Sequence, residues 1–446
     1  MRKKVWRRPM KVDGDLRGLF VLLALTLGAA LPAWAEDTGI QVGDGQLHLY
    51  LQGQGRWDSF AVLNNELQPV SDYIFDIRPG FKLAIPSPIF SFDLAGDVDG
   101  ELYAQNPELD RVLADGTLGI GINRAGAVGL DIADQFDRSD NNNMVALPFL
   151  IISDYNDAKA KLPIRPGGGA LVIEPSYDFI YDHFEPTSVS GVATCATGVA
   201  SCDTTQAYLM DFYQHKIGLD LRWKFLPKTA FLLGGHFLIT NYLNLGSGPS
   251  ANAPLDIVDG TIGLAGLITS RVEVIAKVGY AQTILALNPA AIAAVPKLGT
   301  AGDEHTVVGQ LQLGYDFSET GFLKIGVVRL LEPIPTNLAY FDDTRPYLNF
   351  HLLVADRLTL NLDALYDIFT YPLTAEGQLG GRTDGSLRID VGPEYEIVRW
   401  FRLAVGYDFT NMSTTDPVAF PGLTFSAFGG PGYNNHEVYV RATFEY

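Results

Sequence analysis

The sequence predicts an all-β chain folded as a closed, antiparallel β-barrel that spans a membrane, with about 18 strands and 16 as the alternative. Three observations predict it. Apolar and polar residues alternate with period two in one segment after another, which is the pattern of a strand with one greasy face and one wet face. These segments run to about 10–16 residues, where strands of soluble proteins average five or six. The connections between them switch regularly between short and long.

The first element reads as an export signal. Arg2, Lys3, Lys4, Arg7, Arg8, Lys11 and Arg17 precede an apolar run from Leu19 to Leu31, and Ala33-Trp34-Ala35 is a small-x-small cleavage site. The run is shorter than the roughly 20 residues a spanning helix needs. The expected domain division is a cleaved leader over 1–35 and one barrel domain over 36–446. Removing seven basic and two acidic residues with the leader takes the net charge from −19 to −24. Such a surface argues against nucleic acid, whose phosphates need basic partners. With 47% hydrophobic residues, 46 glycines and 25 prolines but no other long apolar block, the composition fits a β protein with many turns.

Strands follow in order. Leu47, Leu49, Leu51 and Trp57 alternate with His48, Tyr50, Gln52, Gln54 and Arg56. Phe90, Phe92, Leu94, Val98 and Leu102 alternate with Ser91, Asp93, Asp97, Asp99 and Glu101. The same rhythm recurs over 216–225, 357–366 and 387–397. Short connections are expected at Pro86-Ser87-Pro88, Asn123 to Gly126, Arg165 to Gly169, Leu226 to Thr229, Thr269 to Arg271, Ser318 to Gly321, Ala355-Asp356 and Val398-Arg399. Long polar ones are expected near 59–71, 104–115, 137–153, 185–206, 244–255, 286–304, 332–344, 371–382 and 412–433. Eight short and nine long connections join 18 strands. The segment 154–164 alternates least clearly. Open sheet edges are not tolerated in lipid, so the sheet must close. Phe81, Phe90, Phe225, Phe231, Phe317, Phe401, Phe444 and Tyr446 gather beside the short turns, as rings of a membrane-interface girdle do.

Cys195 and Cys202 fall in the small-residue stretch 188–205. In an exported chain they are expected to form a disulfide on a surface loop. A zinc site would need two further ligands nearby, and no metal or cofactor is expected. The polar strand faces are expected to line a lumen. Aligning lipid faces across the short turns puts Lys82 opposite Asp93, Arg78 opposite Asp97, Asp220 opposite His236, Asp316 opposite Lys324 and Glu396 opposite Arg402. Arg222, Arg388, Asp390 and Glu394 share those faces. The acidic stripe Asp93, Asp97, Asp99 and Glu101 could attract cations or hold calcium; an ordinary wet wall neutralised by Lys82 and Arg78 is the preferred reading. The seven histidines are scattered and none lies in HExxH or Gly-x-Ser-x-Gly, so no catalytic residue is assigned and no enzyme is expected.

The final strand, His436 to Tyr446, puts Val438, Val440 and Phe444 on one face and ends on the aromatic Tyr446. It resembles the C-terminal signal read by the barrel-assembly machinery of bacterial outer-membrane β-barrel proteins. The resemblance covers residues 46–446 and implies an outer-membrane lipid environment, short periplasmic turns and long extracellular loops. Neither a plug domain nor a helical-repeat periplasmic domain is evident. In size and strand number the chain also resembles the stand-alone barrels of myxobacterial polysaccharide-export pathways. That likeness implies a transport channel for exported polysaccharide acting with a separate periplasmic export protein. A general or sugar-selective porin is the alternative, and an adhesion barrel acting through its loops is the third.

Overall fold

The computed structural model describes residues 39–63, 69–139, 151–186, 211–244, 255–285, 304–333, 340–371, 383–414 and 433–446. The leader and the loop carrying Cys195 and Cys202 lie outside the described residues. The strands are β1 (Ile40–Val42), β2 (Gly45–Leu63), β3 (Pro69–Ile85), β4 (Phe90–Tyr103), β5 (Arg111–Ile122), β6 (Leu130–Ser139), β7 (Ile151–Lys161), β8 (Leu171–Pro186), β9 (Phe212–Leu226) and β10 (Thr229–Tyr242). They continue as β11 (Leu255–Leu267), β12 (Val272–Leu285), β13 (His305–Ser318), β14 (Gly321–Pro333), β15 (Tyr340–Val354), β16 (Leu358–Thr370), β17 (Thr383–Val398), β18 (Phe401–Thr414) and β19 (Tyr433–Glu445). From β2 onward each strand pairs antiparallel with its sequence neighbour, and β19 pairs with β2. The result is a closed barrel of 18 strands, the count the connection rhythm predicts. β1 is extra: it folds back on the start of β2, with Ile40 opposite Leu47.

The seam is tied by the chain's last residue. Leu49 N donates to Tyr446 O at 2.9 Å, and Tyr446 N donates to Leu49 O at 2.8 Å. Short turns have the chemistry their geometry needs. Ala355 and Asp356 both sit at positive φ, 51° and 60°, in the three-residue turn between Val354 and Leu358, where Arg357 N donates to Val354 O at 3.3 Å; two successive positive φ values twist a turn the way its strands twist. Gly167, Gly168 and Gly169 are all left-handed, with φ of 70°, 90° and 91°, so this glycine run is a turn.

The long connection expected over 104–115 is shorter, because β5 already begins at Arg111. It is a compact cap with a 3₁₀ turn at Pro107–Leu109. Buried Asp72 accepts from the backbone N of Gln105 and Asn106 and from Asn106 Nδ2, at 2.9, 3.0 and 2.8 Å. Leu109 packs with Ala61, Ile74 and Tyr103 beneath it.

Alternation gives the wall two faces. On β13, Val307, Leu311 and Leu313 are exposed while Thr306, Val308 and Gly314, on the opposite face, are buried. The same holds round most of the barrel: Ile217, Leu219, Leu233, Ile262, Val278, Ile325, Val405 and Val440 stand exposed on the apolar face. Apolar area of this extent on a closed sheet is surface for lipid. Aromatic rings end it at the short turns, with Phe401 stacked on Phe444 at 4.7 Å, Trp400 at 6.0 Å from Phe401, and Trp223 at 5.9 Å from Phe225. The chain is a multi-pass β-barrel of the bacterial outer membrane, where such closed, apolar-faced sheets reside.

Tyrosines on the polar face lock register by lying over glycines. Tyr50 covers Gly80 and donates to Asp97 Oδ2 at 2.6 Å, bridging β2, β3 and β4. Tyr347 covers Gly326 and donates to Gln312 Oε1 at 2.6 Å, bridging β15, β14 and β13. Tyr439 lies over Gly406 and reaches Gly392. A Cβ at Gly80 or Gly406 would stand 2.3 or 2.1 Å from the tyrosine ring, so only glycine admits the ring.

Candidate functional site: the polar face of the barrel

The densest charge network joins β2 to β5. Glu101, 3% exposed, takes Arg56 Nη2 at 2.6 Å and Arg111 Nε at 2.5 Å. Arg56 also faces Asp76 at 3.7 Å and Glu437 at 4.0 Å. Arg78 donates to Asp99 Oδ2 at 3.0 and 2.6 Å and stands 3.6 Å from Asp97. Because side chains of one face project every second residue, the acids of β4 fit between the arginines of β2, β3 and β5. Arg56 belongs to the alternation read from sequence, but its central place depends on how β2 packs beside β3 and β19, which no single strand encodes.

Several predicted pairings move by two residues, which keeps every side chain on its face. Asp93 lies opposite Ala84 and Lys82 opposite Ala95, not opposite each other, and Asp97 lies opposite Gly80. The closing pair of this hairpin is Ile85 with Phe92. Pro86 and Pro88 lack the N–H that would extend the ladder further, and Phe90 and Ser91 pair with β5 instead. Lys82 sits over the Tyr50 ring at 5.2 Å. Asp316 lies opposite Phe322, and Lys324 opposite Gly314, because a bulge between Asp316 and Ser318 shifts the register. Lys324 caps the Phe322 ring at 4.9 Å. Asp220 lies opposite Gly234, and His236 opposite Gly218, with a bulge between Thr229 and Ala230. The imidazole still reaches diagonally, with Nε2 3.4 Å from Asp220 and Nδ1 2.9 Å from Asp259. Arg222 lies opposite Leu232 and Val172.

Glu396 does lie opposite Arg402. The Arg402 guanidinium turns to Glu445, with Glu394 at 3.7 Å. Glu394 also faces Arg441 at 3.5 Å. Arg388 donates to Asp367 at 2.9 Å, and Arg345 bridges Asp367 at 2.5 Å and Asp343 at 2.6 Å. Arg345, Asp343 and Asp367 were not singled out from sequence; Asp343 and Arg345 share a face by their spacing of two, which was the available signal.

The register also builds two acidic rows. Asp363 lies opposite Asp390, Asp390 opposite Asp408, Asp408 opposite Glu437, Glu437 opposite Asp58, and Asp58 opposite Asp72. Asp97, Asp115 and Asp137 form a second row. Like charges directly opposite one another destabilise a sheet. Partial compensation comes from Asn349 Nδ2 on Asp363 at 2.6 Å, from Arg56 beside Glu437, and from the backbone N–H groups that hold Asp72. Of these acids only Asp97 and Asp390 were singled out from sequence, because the rows exist only once strands are in register.

Other histidines meet Asp211, Tyr177, Asn361 and Tyr407: His183 Nδ1 at 3.0 Å, and His215, His351 and His436 Nδ1 each at 2.8 Å. Val438, Val440 and Phe444 of the predicted assembly signal lie on the apolar face, opposite Tyr407, Val405 and Phe401 of β18.

No protein-family model and no curated protein matches the sequence. Among solved structures, OccAB4 of Acinetobacter baumannii is 11% identical at a TM-score of 0.43, over 91% of this chain and 99% of that one. The outer membrane protein OpdK of Pseudomonas aeruginosa is 10% identical at 0.44, over 90% and 99%. OpdO of Pseudomonas aeruginosa is 8% identical at 0.46, over 91% and 98%.

Proposed function

We propose that the barrel is a passive diffusion channel with a lumen that favours cations. Barrels of 16–18 strands leave an aqueous passage. The observation that carries the selectivity is the part of the acidic row that is not buried, Asp363, Asp390, Asp408 and Glu437 on four adjacent strands. Fixed charges of one sign beside a low-dielectric wall raise the local concentration of counter-ions. The arginines near the rows are already engaged: Arg56 and Arg111 by Glu101, Arg78 by Asp99. On this reading Arg78, Lys82, Asp93, Asp97, Asp99 and Glu101 line one side of the pore. Arg388, Asp390, Glu394, Glu396 and Arg402 line another, and Asp220, Arg222, Asp316 and Lys324 a third.

Diffusion accounts for this wall without a partner. Polysaccharide export with a periplasmic partner gains no support from any contact described above, and the porin alternative fits the wall better. Swelling of liposomes loaded with the purified barrel tests the reading. Neutral sugars should enter at rates that fall with their size, and a cationic amino acid should enter faster than an anionic one of similar size. No swelling with the smallest sugar would overturn the channel reading.

A further inference from the structure

The outer end of the β14–β15 hairpin leaves the wall. The β13–β14 ladder stops at Gly309 and Arg329, although β13 runs on to His305 and stays paired with β12 as far as Gln282. β14 and β15 keep pairing without a bulge, from Gly321 with Leu352 to Pro333 with Tyr340. Alternation therefore fixes their faces. Arg329, Leu331, Tyr340 and Asp342 share the face of Ile325, which stands exposed on the lipid side. On β11 to β13 the inner face is the one opposite exposed Val258, Val278 and Val307, and it carries Ile257, Ala281, Thr306 and Val308. These two sets of residues meet. Leu331 and Tyr340 share one buried cluster with Ile257, Ala281 and Val308. Thr306 Oγ1 donates to Asp342 Oδ2 at 3.2 Å, and Arg329 Nη2 donates to Thr306 Oγ1 at 3.0 Å. In an even wall β13 and β15 would stand about 10 Å apart with β14 between them, and these side chains would point to opposite sides. The contacts require the hairpin end to bend into the ring and lay its lipid-side face on the inner wall of β11–β13. Arg329 fills the slit this leaves, with Nε donating to Val307 O at 3.0 Å where a ladder bond would otherwise run. The other face of the hairpin end looks across the lumen. Glu332 on that face is close enough to Lys216 of β9, five strands away, for the two charges to interact. Lys216 lies opposite Leu238, which packs against the same buried cluster.

We infer that this folded-in end, residues 329–333 with 340–344, is the size filter of the channel, admitting small hydrophilic solutes and holding back larger ones. The inference rests on the diffusion-channel reading. A barrel of 18 strands whose wall stayed even would be open across its full width; the bent hairpin narrows the outer mouth toward β9. Its back is fixed by the buried cluster, by the Thr306–Asp342 bond and by Arg329, so it holds one position in the mouth.

Two measurements test this. The first reads the fold-in without transport. In a chain carrying Cys195→Ser and Cys202→Ser, the pair Thr306→Cys and Asp342→Cys should close a disulfide on oxidation of the membrane-embedded barrel. The second shortens the hairpin. Residues 331–342 are replaced by Asn-Gly, a two-residue turn that closes on the paired Leu330 and Asp343. With heat-modifiable migration retained, the shortened barrel should give larger conductance steps and admit sugars that the wild type excludes. Leu331→Ser with Tyr340→Ser, which loosens only the apolar hold, should shift both readouts the same way and by less. A cysteine pair that stays reduced overturns the fold-in. A conducting wild type whose steps and sugar cut-off are unchanged by either variant overturns the filter and leaves the channel reading standing. A closed disulfide with no conductance in any form sinks the channel reading, and the filter with it.

Discussion

Replacing Asp97→Asn and Asp99→Asn together perturbs the acidic wall where its partners are best defined. Asp99 accepts from Arg78, Asp97 accepts the Tyr50 hydroxyl, and both lose their charge while an acceptor oxygen remains. Arg78 is then left without either carboxylate partner. At about 10 Å in water one unit charge contributes roughly 0.4 kcal/mol, so removing two changes the energy of a passing ion by about 0.8 kcal/mol, about a fourfold change in local cation concentration. The effect should be full at 0.01 M salt, where the Debye length is about 30 Å, and nearly absent at 1 M, where it is about 3 Å. Stability should fall by only about 1–3 kcal/mol, because the Arg78 side chain is 34% exposed and rehydrates. Reversal potential across a salt gradient, measured with both proteins at low and high salt, reads the change as a shift toward anions at low salt. If the reversal potential is unchanged at low salt while the neutral variant assembles better, the two residues face lipid and the inside–outside assignment of β4 is wrong.

Glu101→Ala should be more damaging, by about 3–5 kcal/mol, because it removes the buried carboxylate that Arg56 and Arg111 share; a urea midpoint close to wild type would show that Asp76, Glu437 and Tyr103 suffice for the two arginines. Deleting Tyr446 should lower the yield of heat-modifiable barrel. The deletion removes two seam hydrogen bonds of about 0.5–1.5 kcal/mol each and the terminal ring of the proposed assembly signal; unchanged yield would refute both roles. Cys195 and Cys202 should be oxidised and, after reduction of whole cells, open to a membrane-impermeant thiol probe; labelling only after the outer membrane is broken would reverse the orientation.

Much of the fold was legible because a membrane barrel encodes each strand locally. Alternation on β2, β4, β9, β16 and β17 needs no knowledge of neighbours, and the turn residues Ala355-Asp356 and Gly167 to Gly169 mark the short end directly. Register was less legible. It depends on where a hairpin closes, and Pro86 and Pro88, the bulge near Phe317 and the bulge at Thr229 each move a pairing by an amount that alternation cannot report. The segment around β7 was faint for a different reason. Its outward residues Asp154, Asn156, Ala158 and Ala160 are nearly as polar as its inward Ser153, Asp157, Lys159 and Lys161, so the period-two contrast almost vanishes. The cap at 104–110 is not visible in its own sequence because its anchor, Asp72, lies 33 residues before Gln105.

The central claim is an open, water-filled lumen lined by the polar face. Single-channel recording of the purified wild-type barrel in a planar bilayer tests it most directly. The account predicts stable, ohmic steps from the barrel alone, with cations carrying most of the current at low salt. A membrane that stays silent although folded barrel is demonstrably inserted, or steps that prefer anions, would contradict it.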